Sequence, residues 1–538
     1  METSHAADLT GGSLSRVVGA LTLSSQVLQR TTRSLVQLVC FLPFLLGALV
    51  LQAKEPLIEA DEWALYKTPH FEVMTTQQGD HIGELIEDIS LFRAVVIALL
   101  GEGAEDLGSS RVRFLVLDRP GDVQLLFGGA PGVTGFTRPS LSGDLMVVGR
   151  PPARRMFALG NQVVFHEYVH QLVQMRSHSR HPAWYAEGIA DFLSTLELRK
   201  DRKHERIVLG AMPESRKFSL RREASMSLGD VLETASTWAL PESRRSSFYT
   251  QSWLLVHHLL LAEDRDERGF ARSLATYLDT YDRGEAPLKA FESSFDLPLE
   301  DFPKRLERHQ RRVLTIEYPL SAFKFDTSFE RITLNRREAT LVLARYIRES
   351  NPGEALRMLQ ALPQSGGASD AEVLAATAVT YAWLGQPNAA IEALTKAQML
   401  GEDQFMVWLE TGRTYRNLCT MAGKSCVSRN YQHLSGQAFS SAYKLDPDDV
   451  EARTRHAQYL LLTPERGQAL PLLAASLAAA PWSYEILHAM GIAYLARGRL
   501  DLARGYLEKA LGWSVDYPEL QADVLRLLRQ IELLDAGR

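Results

Sequence analysis

From about residue 336 onward the chain repeats itself, and that repeat constrains the fold more than any other feature of the sequence. Copies begin near Arg336, Ala371, Phe405, Val450 and Tyr484, at intervals of 35, 34, 45 and 34 residues. In the last copy Leu487, Gly491, Tyr494, Ala503, Leu507 and Ala510 alternate large and small positions; Tyr381, Ala390, Leu394 and Ala397 do so in the second, and Trp408, Gly412, Tyr415, Phe439, Ala442 and Pro447 in the third. A unit this short cannot bury its own apolar face. Small residues let two helices approach, large ones fill the groove to the next pair, and stacking makes a continuous core. The spacing therefore predicts an all-α solenoid of five repeats over 336–515, closed by a capping helix in 516–538. The long interval is a 34-residue unit with 11 extra residues between its helices, and that insertion holds Cys419 and Cys426. An isolated pair at this spacing suits a disulfide in an oxidising compartment; two free thiols are the other reading.

The second constraint lies upstream, in His166-Glu167-Tyr168-Val169-His170 and in Trp184-Tyr185-Ala186-Glu187-Gly188-Ile189-Ala190-Asp191-Phe192. On a helix, His166 and His170 share one face, so both imidazoles can point at a single cation. Glu167 lies one position round from the first of them, where its carboxylate can serve as a general base. The chain then has room to turn back and present Glu187 from a second helix. Two His and one Glu leave a fourth tetrahedral position open, the arrangement of a catalytic rather than a structural zinc site. Asp191, four residues after Glu187, can accept a hydrogen bond from the outer nitrogen of a ligand histidine. Val163, Val164, Phe165, Val169, Leu172 and Val173 predict a largely buried helix around the pair. His257 and His258 fall in an apolar helical pattern and read as packing or surface residues, not ligands.

Both regions resemble known families. The repeats resemble tetratricopeptide (TPR) repeats over nearly their whole length. HEYVH followed by WYAEGIADF is similar to the gluzincin metallopeptidases, the peptidase MA-like clan that includes thermolysin-type enzymes, and within it to exported DUF1570-type members that often carry repeats. That resemblance makes His166, His170 and Glu187 the ligands of one Zn2+, Glu167 the general base and Asp191 the outer carboxylate. Phe248-Tyr249-Thr250-Gln251-Ser252 resembles the helix-opening YxKG segment of gluzincin aminopeptidases, with Gln251 and Ser252 in place of Lys and Gly. It implies a Tyr249 hydroxyl donating to the oxyanion of the tetrahedral intermediate; a buried aromatic at a helix start is the other reading. Nothing matches the GAMEN segment with which such aminopeptidases hold a substrate amine.

The fold expected is thus an α+β gluzincin-like metallopeptidase domain over 57–317, a small sheet plus the HExxH helix and a helical subdomain, then a linker over 318–335 and the all-α TPR solenoid. Strands are predicted over Phe71–Thr75, Val112–Leu117 and Leu145–Gly149, and helices over Ile82–Leu100, Ser252–Leu261, Phe270–Tyr281 and Leu299–Val313. By resemblance, Asp144 to Val148 is the edge strand whose main chain pairs with extended substrate. Residues 35–53 carry no charge and follow Arg30 and Arg33, so they read as a signal peptide cleaved near Ala53 or as a retained membrane anchor, after a flexible leader over 1–34. Either one exports the remainder, to the periplasm, outside the cell or tethered to the inner membrane. A net charge of −6 over 538 residues, with no basic stripe, argues against a nucleic-acid partner. The partners implied are a peptide or protein substrate at the metal site and a protein recruited by the repeats. The rival reading is a catalytically inactive gluzincin-like scaffold that acts only as a protein interaction module.

Overall fold

The computed structural model describes residues 62–536 except 77–79, 101–110, 128–134, 150–161, 177–180, 217–225, 262–269, 423–429 and 514–517 and positions 119, 139, 142, 202–203, 214–215, 238–239, 296 and 312–313. The leader over 1–34, the apolar segment 35–53 and Cys426 lie outside the described residues. Among the described residues no helix is long and apolar enough to cross a membrane.

β1 (Trp63–Lys67) and β2 (Phe71–Thr75) form a hairpin, followed by α1 (Asp80–Leu100), β3 (Val112–Leu117), α2 (Pro120–Leu126), β4 (Gly135–Arg138) and β5 (Leu145–Gly149). The sheet runs β4-β5-β3-β2-β1-β9, where β9 is Glu330–Leu334; β2, β3 and β5 are parallel, and the outer pairings are antiparallel. Val-Arg-Phe-Leu-Val-Leu in β3 and Leu-Met-Val-Val in β5 are apolar at almost every position, as strands covered on both faces must be. Alternation divides them. Phe114, Val116, Met146 and Val148 join the core with Phe92, Val95 and Val96 of α1, whereas Leu115, Leu117, Leu145 and Val147 face a second core.

That second core is completed by the solenoid. Its first hairpin, α10 (Arg336–Ile347) and α11 (Pro352–Gln360), contributes Leu341, Leu343, Ile347, Met358 and Leu359. Polar contacts fix the same junction: Arg138 of β4 donates to Tyr346 O at 2.5 Å, the Arg113 guanidinium lies 5.4 Å from the Tyr346 ring centroid, and Ser350 donates to Leu126 O. The first repeat therefore serves as the second layer of the sheet. The segment 318–335 is correspondingly no free linker. β8 (Ile316–Pro319) pairs with β7 (Glu205–Leu209) in a three-stranded sheet with β6 (Glu197–Lys200), and β9 adds itself to β1. Its alternating Glu-Arg-Ile-Thr-Leu pattern is that of a strand half in solvent.

Two further expectations are corrected. Asp144 to Val148 is not the edge: β5 lies between β3 and β4, and among the described residues the four-residue β4, too short to carry an apolar run, is the edge on that side. The helix expected over Leu299–Val313 is a 3-10 turn at Leu299–Asp301 followed by α9 (Phe302–Gln310), divided where Pro303 occupies the first turn.

The remaining helices of the first domain are α3 (Gln162–Arg176), α4 (Ala183–Leu193), α5 (Leu228–Glu233), α6 (Glu242–Leu261), α7 (Phe270–Asp282) and α8 (Pro287–Phe295). The solenoid continues as the hairpins α12/α13 (Ala371–Trp383, Pro387–Leu400), α14/α15 (Phe405–Ala422, Tyr431–Leu445), α16/α17 (Val450–Leu460, Ala469–Ala479) and α18/α19 (Tyr484–Leu495, Leu500–Trp513), with α20 (Pro518–Ala536) as the cap. The first helices of the five hairpins start where the repeat pattern places them. Gly412 packs on Phe439 and Gly491 on Leu507 so closely that a Cβ would lie 2.7 and 2.6 Å from those side chains. The repeat pattern does not announce the ion pairs that link these first helices: Glu410, fully buried, receives Arg345 at 3.1 Å, Arg348 at 2.6 Å and Arg413 at 2.9 Å, and Arg413 reaches on to Glu451 at 3.0 Å. Cys419, buried near the end of α14, is disulfide-bonded, and its expected partner Cys426 is outside the described residues.

The solenoid also meets the first domain at its far end. Leu141, in the β4–β5 connection, belongs to the apolar core of the last repeats. Asp144, buried at the start of β5, accepts hydrogen bonds from the Ser140 backbone, from Gln171 of α3 and from Trp482 in the α17–α18 turn. Burial pushes its carboxyl up to about 6 against these bonds and the nearby Arg113 charge.

Candidate metal centre

α3 is anchored by the residues between its histidines. Phe165 stacks on Phe92 of α1 at 4.0 Å, and Tyr168 meets Phe114 of β3 edge-on at 5.3 Å. With Val169 and Leu172 also buried, the helix can rotate no further, and His166, Glu167 and His170 are left on its half-buried face. α4 is fixed by Trp184, fully buried, whose indole N–H donates to the Tyr277 hydroxyl of α7 at 3.1 Å. Glycine inside a helix costs about 1 kcal/mol relative to alanine, and Gly188 shows why it is kept. A Cβ there would lie 2.4 Å from Ser252 O and 2.6 Å from Val256 of α6. The glycine beside Glu187 thus brings α6, with Tyr249, against α4.

The three predicted ligands converge. His166 Nε2 lies 3.1 Å from His170 Nε2 and 3.1 Å from Glu187 Oε2, and His170 Nε2 lies 3.4 Å from the same oxygen. Ligands at 2.0–2.1 Å from a tetrahedral zinc are separated by about 3.3–3.4 Å, and the three edges lie within about 0.3 Å of that spacing. These are the group of His, Cys, Asp and Glu side chains among the described residues whose ligand atoms lie close enough to hold a metal. Asp191 is buried and receives His166 Nδ1–H at 2.9 Å, which turns Nε2 into the triangle. Burial works against a positive charge on His166, yet hydrogen bonds to Asp191 and Glu187 and their charges prevail and raise its pKa to about 10. Burial alone would raise Glu187 too, but the neighbouring histidines hold it well below the usual carboxylate range. Glu187 is thus ionised, as a carboxylate that binds a cation must be.

Glu167 follows His166 and is half-buried. Tyr249 lies in the third turn of α6 and not at its start, because the helix begins at Glu242. Its ring is 6.4 Å from that of His166, edge-on, and its hydroxyl hydrogen-bonds with Thr237. Burial raises the phenol far above its ordinary pKa, and the carboxylates of Glu187 and Glu167 push it the same way, so it is a neutral donor at any physiological pH.

Sequence reasoning missed Arg216. Its Nε donates to Asp191 Oδ2 at 2.7 Å and its Nη2 to Oδ1 at 3.2 Å, while the guanidinium sits 4.6 Å from the Tyr249 ring centroid. Nothing in the surrounding Pro-Glu-Ser-Arg-Lys stretch marks it, since the contact comes from tertiary structure. His257 and His258 are packing residues and both are buried. His257 Nε2 donates to Gly210 O and Leu314 O at 2.9 and 3.0 Å, pinning α6 to the ends of β7 and β8. Its Nδ1 then accepts from His309 Nε2 at 2.6 Å.

Residues 162–277 match the family described as "Protein of unknown function (DUF1570)". The match spans α3 to α7 and includes all seven of the polar residues at the site: His166, Glu167, His170, Glu187, Asp191, Arg216 and Tyr249. No curated protein matches the chain. Among solved structures the chain is similar to "MamA MSR-1 C2", at 19% identity over 33% of this chain and 94% of that one with a TM-score of 0.26. It is also similar to TTC0263, a thermophilic TPR protein in Thermus thermophilus, at 23% identity over 35% and 98% with a TM-score of 0.28.

Proposed function

We propose that the protein is a zinc-dependent metallopeptidase in which the TPR-type repeats recruit a protein partner or substrate. The observation that carries this reading is the His166–His170–Glu187 triangle, with edges of 3.1, 3.1 and 3.4 Å and a carboxylate behind its first histidine. These residues would hold the ion, which when bound polarises a scissile carbonyl and acidifies a water. Glu167 takes the proton of the attacking water and passes it to the departing amine. Tyr249 donates to the oxygen that becomes negative as the carbonyl carbon turns tetrahedral. Among the described residues no strand pairs with the outer side of β4, whose main-chain N–H and C=O groups can receive an extended peptide whatever its side chains.

An exported enzyme fits the uncharged segment 35–53 and the disulfide at Cys419. The inactive-scaffold alternative gives no reason for Glu167, because a structural ion needs only its ligands. Glu167→Gln, assayed on a pool of diverse peptides with the metal content measured alongside, should keep its zinc and lose about 10²–10⁴-fold in hydrolysis. Undiminished cleavage by that variant would exclude this mechanism.

A further inference from the structure

We propose that Arg216 is a positioning residue that ties the metal triangle to Tyr249, so that ligand geometry and the oxyanion donor are set by a single guanidinium. The proposal rests on the reading of the site as a zinc peptidase. Arg216 reaches Asp191 in the two-pronged arrangement a planar fork allows, at 2.7 and 3.2 Å, and so leaves that carboxylate one orientation in which to receive His166 Nδ1–H at 2.9 Å. With Nδ1 committed, His166 presents Nε2 to the triangle and to nothing else. The central carbon of the same guanidinium lies over the Tyr249 ring, 4.6 Å from its centroid, and the contact restrains the ring that stands edge-on to His166 at 6.4 Å. Arg216 and Asp191 are both shielded, with 17% and 5% of their side chains exposed, so the pair is little screened by solvent.

An ordinary buried ion pair would stabilise the fold and do no more. The arrangement here predicts two separate couplings instead. Through Asp191, Arg216 governs metal affinity; through Tyr249, it governs turnover. Lysine should replace it poorly, since an ammonium can neither fork onto a carboxylate nor lie flat on a ring.

The test uses the full chain, with zinc alone as the probe of affinity and a peptide that the wild type cleaves as the substrate for kcat. Arg216→Lys and Arg216→Ala are each made in the wild-type, Asp191→Asn and Tyr249→Phe backgrounds, with far-ultraviolet circular dichroism to confirm folding. Zinc affinity is read by competition with a chromophoric chelator. In the wild-type background both substitutions should weaken zinc about 10–100-fold, the range seen when an outer partner of a ligand histidine is lost. In Asp191→Asn they should cost no further zinc affinity, and in Tyr249→Phe the full loss should return. The fall in kcat at saturating zinc should behave in the opposite way, persisting in Asp191→Asn and disappearing in Tyr249→Phe. Unaltered zinc affinity in Arg216→Lys, or equal losses in every background, would overturn the proposal while leaving the metallopeptidase reading intact. A wild-type chain that binds no zinc would overturn both, and one that binds zinc without cleaving peptides would remove the Tyr249 arm and the peptidase reading together.

Discussion

Cutting the chain at residue 335, where the repeats begin, should not release a stable metal-binding domain. The sheet face formed by Trp63, Met74, Leu115, Leu117, Leu145 and Val147 is buried in one cluster with Leu341, Leu343, Ile347, Met358 and Leu359 of the first hairpin. Full burial of a large apolar side chain contributes about 1.5–3 kcal/mol. If half of the burial of those six residues comes from the hairpin, removing it costs roughly 5–9 kcal/mol, against a total of about 5–15 kcal/mol for a typical domain. A fragment of residues 62–335 should therefore be unfolded or aggregated, whereas 62–365, which keeps the hairpin, should be the more stable by several kcal/mol. Denaturant unfolding followed by tryptophan fluorescence and circular dichroism compares them directly. Within the full chain, Leu343→Ala, at a fully buried position, should cost about 2–5 kcal/mol and lower the unfolding midpoint of the sheet domain, not of the repeats alone. Equal midpoints for the two fragments, or a sheet domain indifferent to Leu343→Ala, would refute the shared core.

Other consequences are as direct. Gly188→Ala should separate α4 from α6, costing about 1–3 kcal/mol of stability and weakening zinc binding, both measurable on one preparation. The histidine cluster should make stability depend on pH. Burial lowers His257, and it holds His258 at about 3 and His309 at about 4, helped in the last two cases by like charge from neighbouring histidines. Below pH 6.5 the unfolded chain binds these protons and the folded chain does not, so stability falls from about pH 6.5 toward 4, by about 1.4 kcal/mol per pH unit for each histidine involved. His258→Phe should make that decline shallower, as read from unfolding midpoints across the range; an unchanged slope would contradict the assignment.

What the sequence made legible followed from periodicity and from chemistry held within short segments. The five hairpins begin at Arg336, Ala371, Phe405, Val450 and Tyr484 because each repeat encodes its own packing, and the strands at Phe71, Val112 and Leu145 stand out as apolar runs. The ligand triangle was readable because one helix turn sets the first two corners and Glu187 occurs in a segment with its own helical pattern. What escaped depends on partners distant in the chain. β9 reads as linker until β1 is beside it, and β4, at four residues, has too little pattern to be recognised as the edge that displaces β5 inward. The start of α6 was hidden by Glu-Ser-Arg-Arg-Ser-Ser, a polar opening whose helical state is imposed by the packing of Phe248 and Trp253 further along. Arg216 acquires meaning only when Asp191 and Tyr249 are placed on either side of it. The apolar faces of β3 and β5 did carry a clue to the solenoid's docking, since strands buried on both sides need a second layer from somewhere in the chain.

Two imidazoles and one carboxylate from two helices come close enough together to hold a single ion. The most direct measurement is the zinc content of the purified full chain, by elemental analysis after dialysis against metal-free buffer, alongside His166→Ala, His170→Ala and Glu187→Ala. One zinc per wild-type chain, lost or greatly weakened in all three variants, is the predicted result. A wild-type chain devoid of zinc after exposure to it, or variants that retain it as firmly as the wild type, would rule out the His166–His170–Glu187 metal site.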